Sequence, residues 1–394
     1  MTGFTSPEPT ADLIYLDHHA STPILPPVQQ AMQPWLERGY GNPSNTLHQY
    51  GREARDAVEW GRAQIGKLIN AKPEQIIFTS GATEANNLVI QGRFRFKPTS
   101  QSLLTSMLEH ESVVQPAEYL EKLGYPVYRV PADSTGMITP AVVHDQFAEI
   151  VESENNPGLV SVIAVHGEIG TMNPIDKIAE VAHRFETPIH TDAAQAIGKI
   201  PVDVQDLDVD MLTIAAHKMY GPKGIGALYL KEDALIEPIL SGAGHERGLR
   251  PGTENVPYIV GFGMACKIAA SDVDQEAKRQ TKLRNELREL LQQGIPDIRF
   301  NGHPERRHPG NLHFSLPNVN SLDIIPKLSQ YALSVGSACH TDHPMDNPLI
   351  QTLNIPEKYA RGSIRVGLGR SNTEQQIRQF AEDLIVAYQM VSSK

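Results

Sequence analysis

The chain has 394 residues, 40% of them hydrophobic, and a formal net charge of −11. That length points to two domains, and the acidic balance leaves no basic excess for nucleic acid. No apolar run approaches the roughly 20 residues that span a bilayer, and two cysteines, Cys266 and Cys339, suit a reducing cytoplasm rather than a disulfide framework.

Residues 1–12 are polar, contain proline and read as an N-terminal arm. From about Leu13 to Leu230, apolar strand-like runs alternate with helical stretches, which implies βαβ units and a parallel sheet. The run Gln75–Thr79 reads as a strand, and Ser80-Gly81-Ala82-Thr83 as a turn opening a helix. Hydroxyls, a glycine and a helix N-terminus together can hold an anion. Alone, the same residues make an ordinary N-cap, which is the commoner case. Leu159–Val165 reads as a buried strand. Thr187–Asp192 reads as a short strand ending in an acid, with Gln195 three residues on. Asp192 is then either a cap or a buried carboxylate facing a cationic ring nitrogen. Lys218 stands between two strand-like runs, Met211–Ile214 and Ile225–Leu230, and before a Gly-Pro turn. It is either a snorkelling surface lysine or a partly buried amine of lowered pKa, able to form a Schiff base.

The pattern changes near Asp272. A charged helix is expected over Asp274–Gln293, then shorter strands, then an amphipathic helix near Thr373–Val391. Cys339 follows small residues and reads as part of an exposed loop, whereas Cys266, in Met264-Ala265-Cys266-Lys267, fits a small buried apolar group. Cys339, His340, Asp342 and His343 are ligand types for zinc, but five consecutive residues make poor ligand geometry, and no metal is expected.

The anion turn, Asp192 with Gln195, the His217-Lys218 pair before Gly-Pro and the late Cys339 together resemble the class V aminotransferase-like enzymes that use pyridoxal phosphate. Within them the chain is similar to the cysteine desulfurase and selenocysteine lyase group. The resemblance runs from Tyr15–Pro23 through His190–Gly198 and Arg250–Asn255 to Ser363–Arg370. It implies an α/β fold, the pyridoxal-phosphate-dependent transferase fold type I. A mostly parallel seven-stranded sheet would occupy a large domain, residues 26–265, and residues 13–25 and 266–394 would form a smaller α+β domain. It also implies a homodimer with active sites shared at the interface.

By the same resemblance, Lys218 carries the cofactor, and His217, Ala82 and Thr83 serve its phosphate. Thr253 serves the phosphate of the neighbouring subunit. Asp192 faces the pyridine nitrogen, Gln195 the ring hydroxyl, and His110 stacks on the ring. Arg365 grips the substrate carboxylate with Asn42 nearby, and Cys339 is the nucleophile, with His340 placed to help it. The implied reaction removes sulfur or selenium from L-cysteine or L-selenocysteine to give L-alanine, through a persulfide or selenosulfide on Cys339 that a sulfur-acceptor protein would receive. Relatives carry asparagine where this chain has Gly167, and often serine where it has Ala215. Gly167 opens space and leaves room for the alternative, a C–S lyase acting on a larger cysteine thioether, sulfoxide or disulfide to give pyruvate and ammonia. The segment Ser334–His343, Glu111 and the run from Leu249 lean towards the selenocysteine lyases. A non-enzymatic scaffold is disfavoured by Lys218, Asp192, His110 and Arg365 all being present, and metal-dependent hydrolysis by the scatter of the histidines.

Overall fold

The computed structural model describes residues 13–96, 101–153, 155–336 and 343–393. The expected arm, Cys339, His340 and Asp342 lie outside the described residues.

The strands in chain order are β1 (Ile14–Tyr15), β2 (Ile76–Thr79), β3 (Gln101–Ser106), β4 (Val127–Val130), β5 (Asn156–Ser161), β6 (Ile189–Asp192), β7 (Met211–Ala215), β8 (Gly226–Leu230), β9 (Arg299–Phe300), β10 (Asn311–Ser315), β11 (Tyr331–Ala332), β12 (Ser334–Val335) and β13 (Ser363–Gly367). Seven of them form one sheet in the order β2-β8-β7-β6-β5-β3-β4. β3, β4, β5, β6 and β7 pair in parallel, while β8 runs antiparallel to both β7 and β2. The reversal follows from chain length: the segment 216–225 between β7 and β8 is too short for the crossover that a parallel pair needs. Strands β2, β3, β6, β7 and β8 are buried at every position, as a sheet covered by helices on both faces requires. Because β8 is reversed between them, β2 and β7 point the same way. The carboxyl ends of β2, β3, β5, β6 and β7 therefore meet at one edge, the edge where open α/β sheets bind ligands.

A second, antiparallel sheet has the order β12-β13-β10-β9. Its core, including Leu312, Phe314, Ile364 and Val366, packs against Ile377, Phe380 and Leu384 of the helix Glu374–Ser392. Thr373 caps that helix, its hydroxyl accepting from Gln376 N–H. The N-terminus joins this sheet region: β1 pairs with β11, and Asp17 bridges to Gly367.

One helix, Val256–Gly294, links the two cores. Val256, Ile259, Phe262, Ala265 and the fully buried Cys266 belong to the first core, and Leu283, Leu287 and Leu291 to the second. The sequence suggested a charged helix from Asp274 only; the structure extends it back to Val256. The earlier half is apolar on most sides because it lies against the helices Pro26–Glu37 and Gln49–Ile69. Contrary to the expectation about apolar runs, this helix is long and apolar enough to cross a bilayer by length and composition alone, but half of its most apolar stretch is buried in the protein.

Candidate active site

Each strand end at the shared edge delivers one polar segment. β2 leads through Ser80 and Gly81 into the helix Ala82–Phe96. Gly81 has φ +155, and a Cβ there would meet nothing within 4 Å, so the turn is open. Ser80 N–H donates to Glu84 Oε2 at 2.8 Å. β7 leads through His217 into Lys218, whose Nζ donates to the carbonyls of His19 at 2.5 Å and Ala20 at 3.0 Å. The N-terminal segment clamps this hairpin: Thr22 Oγ1 donates to His217 O at 2.9 Å and accepts from Tyr220 N–H at 2.7 Å. Burial, then the charge of Arg365, lowers the Lys218 amine to about 8, against the opposing pull of Asp192 and Asp17. His217 is lowered to about 4 by burial and by Lys218 and Lys223.

Asp192 ends β6 and is 4% exposed. Oδ1 accepts from Ala194 N–H at 2.9 Å and Oδ2 from Asn86 Nδ2 at 2.8 Å. Asn86 also donates to Ser112 Oγ at 2.8 Å. Ser112 meets His110 Nδ1 twice, through its hydroxyl at 2.8 Å and its backbone N–H at 3.1 Å. The backbone donor makes Nδ1 an acceptor, so a neutral His110 ring carries its proton on Nε2. One chain of hydrogen bonds thus runs from the acid at β6 to the histidine that caps the helix Glu111–Lys122.

Arg365 rises from β13. Nη2 donates to Asp17 Oδ1 at 2.8 Å and to Ser334 Oγ at 3.0 Å, and Nη1 to Gly167 O at 3.2 Å. Its Nε is buried without a partner among the described residues. Gly167 lies between Arg365 and Gln195: a Cβ there would stand 3.3 Å from Gln195 Nε2. His166, the preceding residue, is lowered to about 4 by burial, with Glu168 opposing.

A cavity of about 940 Å³ opens at this edge. Ala82, Thr83, His110, Asp192, Gln195, His217, Lys218 and Arg365, all expected site residues, line it together. Two others stand apart. Asn42 is in an exposed turn, its Oδ1 accepting from Ser44 N–H at 2.9 Å. Thr253 lines a neighbouring cavity of about 230 Å³, which shares Ser80 and Gly224 with the larger one. Asp17, Ser334, Asn86, Ser112 and Glu109 also shape the site, and the sequence assigned none of them a role. Each works through a partner distant in sequence, so the signals were only the places of Asp17 in the Tyr15–Pro23 run and of Ser334 in the Ser334–His343 segment.

Residues 14–380 match the family model described as Aminotransferase class-V. The chain belongs to that family. Over 367 residues it is 38% identical to a protein named cysteine desulfurase IscS from Dictyoglomus turgidum, covering 92% of this chain and 91% of that one. A solved structure described as a NifS-like protein superposes with a TM-score of 0.87 at 30% identity, covering 96% of this chain and all of that one. Another, described as SspA in complex with cysteine, has a TM-score of 0.73 at 31% identity and covers 90% of this chain and 98% of that one.

Class-V aminotransferase enzymes of this kind use pyridoxal phosphate, and the residues present fit it. A half-buried amine of lowered pKa suits a carbonyl. A buried carboxylate served by neutral donors suits a cationic ring nitrogen, and an open glycine turn at a helix start suits a phosphate. Gln195 Oε1 is buried with no partner among the described residues, as expected of a group meant to meet a ligand.

Proposed function

We infer that this class-V aminotransferase family member is a pyridoxal-phosphate-dependent cysteine desulfurase. The observation that carries the inference is the convergence of Lys218, Asp192 and Arg365 on one cavity in a chain so similar to named desulfurases. When bound, the cofactor supplies an electron sink at the substrate α-carbon.

The chain's own residues supply the rest. Lys218 holds the cofactor and its amine moves the α-proton, with His110 beside it. Asp192 balances the positive ring nitrogen. Arg365 binds the substrate carboxylate through its forked donors, kept in line by Asp17 and Ser334. Cys339 acts as a thiolate. Its sulfur attacks the substrate sulfur, and an S–S bond forms as the substrate C–S bond breaks. The carbon fragment keeps the electron pair, takes a proton and leaves as L-alanine. A reductant or a sulfur-acceptor protein then collects the outer sulfur from Cys339. The working unit is a homodimer in which the Arg250–Asn255 segment, with Thr253, reaches the neighbouring copy's phosphate.

The test is product analysis with L-cysteine and a reductant, beside Cys339→Ala. L-alanine is expected from the wild type, and at least about a hundredfold less from the variant, as for loss of a nucleophile. Pyruvate and ammonia, unaffected by the variant, would replace this reading with the C–S lyase. Parallel runs with L-selenocysteine give the preference between sulfur and selenium.

A further inference from the structure

Glu109 takes no part in binding substrate or transferring sulfur, yet it lines the cavity beside His110. Its Oε1 accepts from the Ser106 hydroxyl at 2.5 Å and from the backbone N–H of Ile163 at 3.0 Å. Ser106 Oγ accepts from Leu108 N–H at 3.2 Å, which leaves its own proton for Glu109. Glu109 Oε2 is enclosed and has no hydrogen-bond partner among the described residues. An anionic oxygen so placed would lose its hydration with no donor in exchange. The ionisable group whose charge acts on Glu109 is another acid, Asp192, at the end of β6. His110, next in the chain, turns its Nδ1 to Ser112 instead. The two carboxyl groups thus have opposite surroundings. Asp192 has a donor on each oxygen; Glu109 has one oxygen served and one bare. Unequal surroundings of this kind drive neighbouring acids to different protonation states.

We propose that Glu109 holds a proton in the resting enzyme and acts as a positioning residue, keeping the negative charge at this end of the cavity on Asp192. The proposal rests on the pyridoxal phosphate reading, in which Asp192 must stay ionised beside a cationic ring nitrogen. Burial pushes the Glu109 carboxyl up to about 8; the Asp192 charge adds to the rise, and the bonds from Ser106 and Ile163 oppose it.

Two measurements test this. Holoenzyme labelled with ¹³C at its glutamate side-chain carboxyls is titrated by NMR. One resonance, missing in Glu109→Gln, is expected to titrate near pH 8 rather than near the ordinary value of about 4.3. A midpoint below about pH 6 would overturn the proposal. The same titration of cofactor-free protein reads the Glu109 proton whether or not the cofactor assignment is right, so the two can fail separately. The second measurement is the Tm of Glu109→Gln against wild type. Between about pH 4.5 and pH 8, wild-type Glu109 is protonated when folded and ionised when unfolded, so wild-type stability falls as pH rises through that window. Glutamine does not titrate. The Tm difference in favour of the variant should grow from about pH 5 to pH 8 and then level, with cofactor dissociation constants within about twofold at pH 7. A difference that ignores pH, or cofactor binding weakened about tenfold, would mean that Glu109 works as an anion.

Discussion

Arg365 is held by Asp17, 348 positions earlier in the chain, and by Ser334, 31 positions earlier. A guanidinium on its own can swing; two acceptors and the Gly167 carbonyl aim it. Asp17→Asn keeps the shape and removes the charge. A hydrogen bond to a charged group contributes about 1.5–3 kcal/mol, so the KM for L-cysteine should rise at least about tenfold with a smaller change in kcat. Steady-state kinetics would sink the idea if kcat fell while KM stayed put. At this scale the sequence was most legible where a residue type does one job next to a strand end. Lys218 and Asp192 each stand beside a strand read from the sequence, His110 and Arg365 followed from the resemblance, and the four line one cavity. Asn86 and Glu109 were not legible. Their roles depend on Ser112, Asp192, Ser106 and Ile163, and no spacing rule reports contacts made across a sheet edge.

Among the elements, the helix Val256–Gly294 lies so close to the helix Gln49–Ile69 that glycines are required at the crossing. A Cβ on Gly61 would stand 2.7 Å from Ile259 Cγ2 and 2.9 Å from its carbonyl oxygen; one on Gly263 would stand 2.8 Å from Gly61 Cα. Helix propensity alone favours alanine over glycine by about 1 kcal/mol. Overpacking costs about 1–3 kcal/mol and opposes it. Gly61→Ala and Gly263→Ala should each lower Tm by a few degrees, and the double variant should depart from the sum because the two sites touch. A calorimetric Tm above wild type for either single variant would contradict this crossing. The first half of this helix was hard to read from sequence for the same reason: apolar faces on several sides and scattered glycines hide the helical period. The strand Leu159–Val165 was read correctly as buried but too late in the chain. Pairing with β3 ends at Ser161, and beyond it Val162 and Ala164 donate only towards β6, to His190 and Asp192. The last helix, by contrast, was expected near Thr373–Val391 and runs over Glu374–Ser392, one residue later at each end.

For the whole molecule, residues 13–22 act as a strap. β1 pairs with β11 beside the antiparallel sheet, while Thr22 is bonded to both His217 and Tyr220 beside the seven-stranded one. Thr22→Val preserves volume and leaves the buried Tyr220 N–H unpaired, at about 1–3 kcal/mol, while the His217 carbonyl keeps the bond from the backbone N–H of residue 22. A fall in Tm of several degrees is expected by scanning calorimetry, together with weaker retention of pyridoxal phosphate on dialysis; an unchanged Tm would show that the strap carries no load at Thr22. The α/β class was foreseeable because alternating runs imply it, and the seven strands because the family resemblance implies them. The reversed β8 was not, since its direction depends on the brevity of 216–225 rather than on any residue type.

Arg365 also sets when this chemistry can begin. A chain still emerging from the ribosome can finish the seven-stranded sheet, with Lys218 and Asp192 in place, before Ser334 and Arg365 have been synthesised. When they arrive they must find Asp17, made 348 residues before Arg365. On the proposed role of Arg365, the grip on the substrate carboxylate therefore closes only once synthesis has passed Arg365, and a chain cut short of that residue would present the lysine without the arm that aims its substrate.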